Sequence, residues 1–239
     1  EMKTEGQRHR ALVVGGSGGI GRAVSKRLVA LGNDVVATGT QADKLEFLAL
    51  ESAGGPGSFQ GIRIQATRPE DFLSALPEDL NPDILVCAYG PVLYKPVGQT
   101  SLREWTYLGG MNLALPGALI TRYLPGMLRN DFGRILLFGV AGSDQVRGYR
   151  EIGAYAAVKT GLSVLVRSLA EEVSGSGISV CALLPSYVDT EYLSDEERRR
   201  YRGRIGNNLL EKPDEIAETA CYLISAEDGR HNGTIVPTR

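Results

Sequence analysis

The chain has 239 residues, enough for one large α/β domain with a sizeable core or at most two small domains. With 26 Lys+Arg against 28 Asp+Glu it has no basic excess, so nucleic acid is not an expected partner, and its 43% hydrophobic and 23% charged content excludes a disordered chain. Its apolar runs are far shorter than the ~20 residues that span a bilayer, and its three cysteines, Cys87, Cys181 and Cys221, lack metal spacing and read as reduced thiols of a cytoplasmic protein.

Residues 1–10 read as a polar tail without a cleavable signal, and Glu1 ahead of Met2 reads as an addition to the natural start. From there, short apolar runs alternate with helical patterns. Strands are expected at Ala11–Gly15, Asp34–Thr38, Gly61–Gln65, Asp83–Ala88, Arg134–Phe138, Ile178–Leu184 and Thr234–Val236. Helices are expected at 19–31, 41–53, 69–76, 101–129, 152–174 and 213–225. Ser101 with Glu104 makes a capping box, and Pro213 opens the last helix. This alternation predicts a single α/β domain over 11–239, a doubly wound parallel sheet with helices on both faces. The segment 186–212 breaks the rhythm. Its cluster of Glu and Arg fits a solvated surface helix or a substrate lid over the strand ends.

The run Gly15-Gly16-Ser17-Gly18-Gly19-Ile20-Gly21 joins the first strand to the first helix. As a dinucleotide loop, Gly16, Gly18 and Gly21 fit G-x-G-x-x-G, and bare backbone lets a pyrophosphate reach the helix N-terminus. As a P-loop it fails, because Arg22 and Ala23 stand where Lys and Ser/Thr are needed. As a nucleophile elbow, Ser17 fits G-x-S-x-G with His231 late in the chain, but such elbows sit mid-sheet after earlier strands. A plain glycine turn is the remaining reading. His9 and His231 have no partner spacing for a metal, so none is expected.

Tyr155 and Lys159 stand four apart in a helical stretch, which puts both on one face. A nearby ammonium favours phenolate and lowers a tyrosine pKa. A phenol so placed can give or take the proton that accompanies hydride transfer.

Together these features resemble the classical branch of the short-chain dehydrogenase/reductase family, through almost the whole chain. Val14-Gly15-x-x-x-Gly19-Ile20-Gly21 is similar to its T-G-x-x-x-G-x-G loop, and Tyr155-Ala156-Ala157-Val158-Lys159 to its Y-x-x-x-K. Asn112 stands where the family keeps an asparagine on the fourth helix. Leu184-Pro185-Ser186-Tyr187-Val188-Asp189-Thr190 resembles its P-G-x-x-x-T stretch, and Lys212-Pro213-Asp214-Glu215-Ile216-Ala217 the start of its last helix. The resemblance implies a Rossmann-type NAD(P)-binding domain that moves a hydride between nicotinamide and a carbonyl/alcohol pair, in the manner of a 3-oxoacyl reductase. It implies that Tyr155 is the general acid/base and that Lys159 lowers its pKa and holds the nicotinamide ribose. Asn112 would hold a water linking Lys159 to solvent. The cofactor would touch Gly15, Ser17, Gly18, Gly19, Ile20, Gly21, Thr40, Gln65, Ala66, Ala88, Gly90, Tyr155, Lys159, Pro185 and Val188. It further implies a homodimer or homotetramer paired through the helices at 101–129 and 152–174, where Ala154, Ala156, Ala157 and Gly161 are small.

The sequence departs from that pattern in places. Val14 and Cys87 replace polar partners of the loop, a matched loss that can be nearly neutral. Gln65 replaces an adenine-binding aspartate, whose acceptor role an amide oxygen can take. Gly139 falls where the family's catalytic serine is expected. Ser143 either substitutes for it or is a turn residue. No acid lies between Thr38 and Ala42 to select NAD, and Thr40, Gln41 and Arg22 can hold a 2′-phosphate, so NADP is the expected cofactor and NAD the alternative. Trp105 and Tyr107 read as core or interface anchors. Arg147, Tyr149 and Arg150 read as surface, or as recognition of an acidic or carrier-linked substrate. A non-catalytic dinucleotide-binding sensor or scaffold is the rival reading.

Overall fold

Runs of Val, Ile, Leu and Ala leave a strand no polar face to show to water, so such strands need cover on both sides. In the computed structural model they form the inner strands of a parallel sheet, where every residue of Ile178–Leu184 is buried. The structure describes residues 8–205, 209–225 and 229–238. Residues 1–7 of the expected tail and 206–208 of the segment 186–212 lie outside the described residues.

Among the described residues the strands are β1 (Arg10–Val14), β2 (Asp34–Gly39), β3 (Ser58–Arg63), β4 (Ile84–Cys87), β5 (Gly133–Phe138), β6 (Ile178–Leu184) and β7 (Ile235–Pro237). They form one seven-stranded sheet in the order 3-2-1-4-5-6-7, with every pairing parallel. The helices are α1 (Gly19–Ala30), α2 (Ala42–Ser52), α3 (Pro69–Ser74), α4 (Leu102–Gly109), α5 (Leu115–Arg129), α6 (Gly153–Glu172), α7 (Asp195–Arg202) and α8 (Pro213–Ser225).

Successive strand residues point to opposite faces, and this divides the core in two. Leu12, Val14, Leu85 and Leu137 pack with Leu119 of α5 and Val166 of α6. Ala11, Val13, Val86 and Leu136 pack with Val24 of α1 and Ile216 of α8 on the other face. The chain leaves β1 toward β2 on one side and returns past it to β4 on the other. That reversal opens a crevice at the carboxyl ends of β1 and β4, where sheets of this kind bind ligands.

Two elements differ from the sequence expectation. β3 begins earlier than Gly61, because it is an edge strand that needs only Phe59 and Ile62 turned inward; an isolated Phe between Ser58 and Gln60 makes no apolar run. The helix expected over 101–129 starts at the Ser101 capping box but is interrupted by a π-helical turn over Gly110–Ala114. Pro116 has no N–H for the carbonyl four residues back, and its ring crowds that carbonyl; a wider turn relieves both problems. The carbonyl belongs to Asn112. The segment 186–212 contains α7, opened by a Ser194–Glu197 capping box.

Candidate active site

The glycine loop works by absence of side chains. Gly15 has φ +77°, and a Cβ there would stand 2.8 Å from Tyr89 Cβ. A Cβ on Gly21 would overlap the Gly15 carbonyl, so α1 can start this close to β1 only with glycine. Val14 and Cys87 leave the loop without its expected polar tie. The structure supplies another: the Gly15 N–H donates to Thr38 Oγ1 of β2 at 3.1 Å. At the end of β2, a Cβ on Gly39 would collide with the buried Ser17, so no acidic side chain fits beside that serine. The cradle of bare backbone fits a dinucleotide diphosphate, and its affinity for anions is visible. The Gly19 N–H donates to both carboxylate oxygens of Glu191, at 3.2 and 3.1 Å.

Around the end of β2, Arg22 is paired with Glu51 at 2.6 Å and lies over the Phe47 ring. Arg63, which the sequence reading passed over, is brought in by register: it pairs with Gly39 across the β2–β3 ladder, and its Nε donates to the Thr40 carbonyl at 3.2 Å. Gln65 donates its amide to the same carbonyl at 3.3 Å and keeps its own oxygen as an acceptor. Ala66 lies just beyond, partly buried against the core.

At the other end, α6 places Tyr155 and Lys159 on one face, as their spacing predicts. Lys159 is 4% exposed, and its ammonium donates to the Phe138 carbonyl at 2.8 Å. The same ammonium stands 5.9 Å from the Tyr155 ring centroid. Burial pulls Lys159 down to about 8, against a smaller opposing effect of Cys87. Burial pushes Tyr155 up to about 12. The expected lowering of the tyrosine by its lysine therefore does not hold in the free protein: desolvation outweighs an ammonium turned toward a backbone carbonyl.

Asn112 is fully buried in the π turn. Its Nδ2 donates to the Pro91 carbonyl at 3.0 Å, while its Oδ1 has no hydrogen-bond partner among the protein groups. A Cβ on Gly90 would overlap that Oδ1 and stand 3.0 Å from Lys159 Nζ. Glycine at 90 therefore leaves a small polar space between the asparagine oxygen and the lysine ammonium.

A cleft of about 680 Å³ joins the two ends. Ile20, Ala88, Gly90, Tyr155, Lys159, Pro185 and Val188 all line it. Gly15, Ser17, Gly18, Gly19 and Gly21 form the loop behind Ile20, whereas Thr40, Gln65 and Ala66 lie outside the cleft at the β2 end. Ser143 does not line it. Its Oγ accepts from the Val140 N–H at 3.3 Å inside a buried turn, and its carbonyl accepts from Ser163 Oγ at 2.8 Å. Gly139 has no room for a side chain, since a Cβ would strike Leu184 and come within 2.9 Å of Ser143 Oγ. The wall after β5 is continued by Val140 and Ala141, both apolar.

The outer cleft carries Tyr94, Tyr149, Tyr187 and Tyr201, with Arg147 and Arg150 at the mouth. Tyr201 of α7 is 4% exposed, donates to the Tyr94 hydroxyl at 2.9 Å and stacks on Tyr187 at 4.5 Å. The elbow reading fails on topology. Ser17 follows the carboxyl end of β1, whereas His231 precedes β7, its carbonyl 3.0 Å from Cys181 Sγ toward the opposite end of the sheet. Trp105 and Tyr107 lie outside the cleft, and the Tyr107 hydroxyl meets that of Tyr89 at 3.5 Å.

An anion cradle at a helix N-terminus, joined by one cleft to a tyrosine–lysine pair, defines a dinucleotide-dependent oxidoreductase of the Rossmann class. Residues 9–200 match the family model for short chain dehydrogenase. The 3-oxoacyl-[acyl-carrier-protein] reductase FabG of Escherichia coli is 30% identical over 224 residues, covering 91% of this chain and 90% of that one. Its counterpart from Aquifex aeolicus is 29% identical over 234 residues, covering 94% and 92%. A Brucella melitensis 3-oxoacyl-[acyl-carrier protein] reductase solved with bound NAD superposes with a TM-score of 0.85 at 22% identity over all of this chain and 95% of that one, which shows the fold. A Beutenbergia cavernae protein solved with bound NADP gives a TM-score of 0.82 at 28% identity, covering 96% and 94%. The chain belongs to the short-chain dehydrogenase/reductase family. No helix among the described residues is long and apolar enough to cross a membrane.

Proposed function

We propose that this enzyme is an NADPH-preferring ketoreductase acting on an acyl-type carbonyl, the substrate class named for its FabG relatives, and that it works without a hydroxyl donor from the wall after β5. The observation that carries this reading is the convergence of Tyr155 and Lys159 on the cleft that begins at the glycine loop, with the Asn112 oxygen behind Gly90 beside Lys159. The loop amides and Ile20 would hold the diphosphate, and Lys159 the nicotinamide ribose. Arg63, beside Thr40, is a cation available to a 2′-phosphate, and the crowding of Gly39 by Ser17 leaves no place for an NAD-selecting acid at that position.

The bound nicotinamide supplies the hydride for reduction. Tyr155, held protonated well above neutral pH, is ready as the acid that gives the carbonyl oxygen its proton. Lys159 is charged below about pH 8, so the phenolate left behind is stabilised only as the ammonium turns to it. The free Oδ1 of Asn112 is placed to hold a water beside Lys159 and so restore the proton. With Val140 and Ala141 in the wall after β5, the donor to the carbonyl would come from elsewhere in the cleft, whose lining includes Tyr94, Tyr187, Ser186 and Gln145. The segment 186–212, which brings Tyr187 and Tyr201 over the cleft, is the substrate lid. Arg147 and Arg150 suit a substrate with an anionic end. Pairing through α4, α5 and α6 into a homodimer or homotetramer, in the cytoplasm, completes the reading; exposed Leu102 and Val164 lie on these helices.

The test is NADPH oxidation followed by absorbance with acetoacetyl-CoA and a panel of ketones. Turnover faster with NADPH than with NADH is expected. Tight binding of either dinucleotide with no turnover across the panel would turn the reading to the non-catalytic rival.

A further inference from the structure

The anion on the glycine loop belongs to the chain itself. Glu191 lies between β6 and α7, far in sequence from the loop. Both its carboxylate oxygens accept from the Gly19 N–H, at 3.2 and 3.1 Å, and Oε1 also faces Lys44 Nζ at 3.4 Å. The neighbouring Tyr192 lies with its hydroxyl over Gly18, on the space that glycine keeps bare, and its ring centroid is 4.4 Å from Lys44 Nζ. The strap is held on the N-terminal side of Glu191. Arg198 of α7 holds Asp189 at 2.6 Å and the Thr190 carbonyl at 3.0 Å. At its base Glu211 accepts from the Ser186 N–H at 2.9 Å and from Thr238 Oγ1 at 2.7 Å.

On the dinucleotide reading above, which this inference takes as its starting point, a diphosphate needs the same amides and the same bare surface over Gly18. A carboxylate and a diphosphate cannot share one N–H: the donor has a single proton, and the two anions repel at contact distance. We propose that Glu191 is an internal ligand of the dinucleotide site, that the cofactor must displace it, and that Lys44 passes from the carboxylate to the incoming phosphates. Glu191 thereby sets cofactor affinity, since the observed dissociation constant is the intrinsic one divided by the fraction of molecules with the strap released. Because the strap continues into α7, which carries Tyr201 to the substrate cleft, cofactor entry also frees the segment that covers the substrate.

The experiment is a titration of NADPH and of NADH into the unmodified protein, Glu191→Gln, Lys44→Met and the double variant, read by nucleotide fluorescence. Glu191 is 41% exposed at its side chain and Lys44 30%, so none of these changes removes core packing. Glu191→Gln keeps the shape and removes the charge, and is expected to tighten binding by about tenfold, as it would if roughly nine molecules in ten are strapped. Lys44→Met is expected to weaken binding. In its background the gain from Glu191→Gln should shrink, because the strap has lost its ion pair. Glu191→Gln binding with unchanged or weaker affinity than the unmodified protein overturns the proposal and leaves the dinucleotide reading standing. Failure of every form to bind either nucleotide overturns both.

Discussion

The two ends of the cleft are built by opposite means. At the β1 end, function rests on backbone: Gly15, Gly18 and Gly21 contribute no side chain, and neighbours already fill the space a Cβ would take. At the β5 end it rests on side chains fixed by two helical devices, the i, i+4 spacing of Tyr155 and Lys159 on α6 and the π turn that turns Asn112 inward. At Gly15 and Gly21 the first end tolerates no added atom, because the neighbours there, main chain and the Tyr89 Cβ, cannot move aside, whereas Gly18 faces the movable side chains of Tyr192 and Glu191. The second depends on the chemistry of its side chains as well, although Gly90 and Gly139 leave no room for a Cβ there either. Here a buried lysine carries a cost in stability that the fold bears for the sake of the site.

The sharpest contrast is expected from Tyr155→Phe. It keeps the ring and deletes the proton, and should lower kcat by about 10²–10⁴ while leaving the NADPH dissociation constant within twofold or so. Full activity in this variant would remove Tyr155 from the mechanism. Gly21→Ala should do the reverse. Forcing a methyl against the Gly15 carbonyl is expected to destabilise the fold by roughly 1–3 kcal/mol and to abolish nucleotide binding even where the protein remains folded. Wild-type affinity, measured by fluorescence titration, would show that the loop is not close-packed as described.

Lys159→Met separates stability from activity. Burial holds Lys159 at about 8, below the 10.5 of an unperturbed lysine. Between those values the unfolded chain binds a proton that the folded chain does not, so stability rises with pH from about 8 to 10.5, and below pH 8 the whole penalty stands. The shift corresponds to about 3 kcal/mol, less about 1 kcal/mol for leaving the Phe138 carbonyl without its donor. The variant should therefore melt higher than the parent at pH 7 by calorimetry, lose that advantage near pH 10, and be nearly inactive throughout. A lower melting point at pH 7 would contradict the assigned burial cost. In the parent, reduction should slow as pH rises through about 8, where the ammonium discharges. A flat profile to pH 10 would detach the lysine charge from catalysis.

The smallest effect is expected at Ser143. Its hydroxyl satisfies the Val140 N–H within a buried turn, so Ser143→Ala should cost about 1 kcal/mol in chemical denaturation and leave kcat within about twofold. A loss of about a hundredfold in kcat would instead make it the missing oxyanion donor.

What the sequence determined by itself was whatever is local. Continuous β-branched runs mark strands buried on both faces, a glycine string between strand and helix marks an anion cradle, and a four-residue interval puts Tyr155 and Lys159 together wherever the helix lies. The order of motifs carried the family resemblance for the same reason. Tertiary structure decided everything that depends on segments meeting across the chain. The β2–β3 register brings Arg63 to Thr40, and Thr38 replaces the tie that Val14 and Cys87 gave up. The packing of Leu184 closes the space beside Gly139, and the return of the segment after β6 seats Glu191 on the glycine loop. It also reversed one electrostatic expectation. Proximity in sequence told that a lysine stands near Tyr155, but only burial and the direction of the ammonium decide whether that charge or desolvation sets the tyrosine's acidity. Desolvation is a property of the surrounding fold, which no interval between two residues contains.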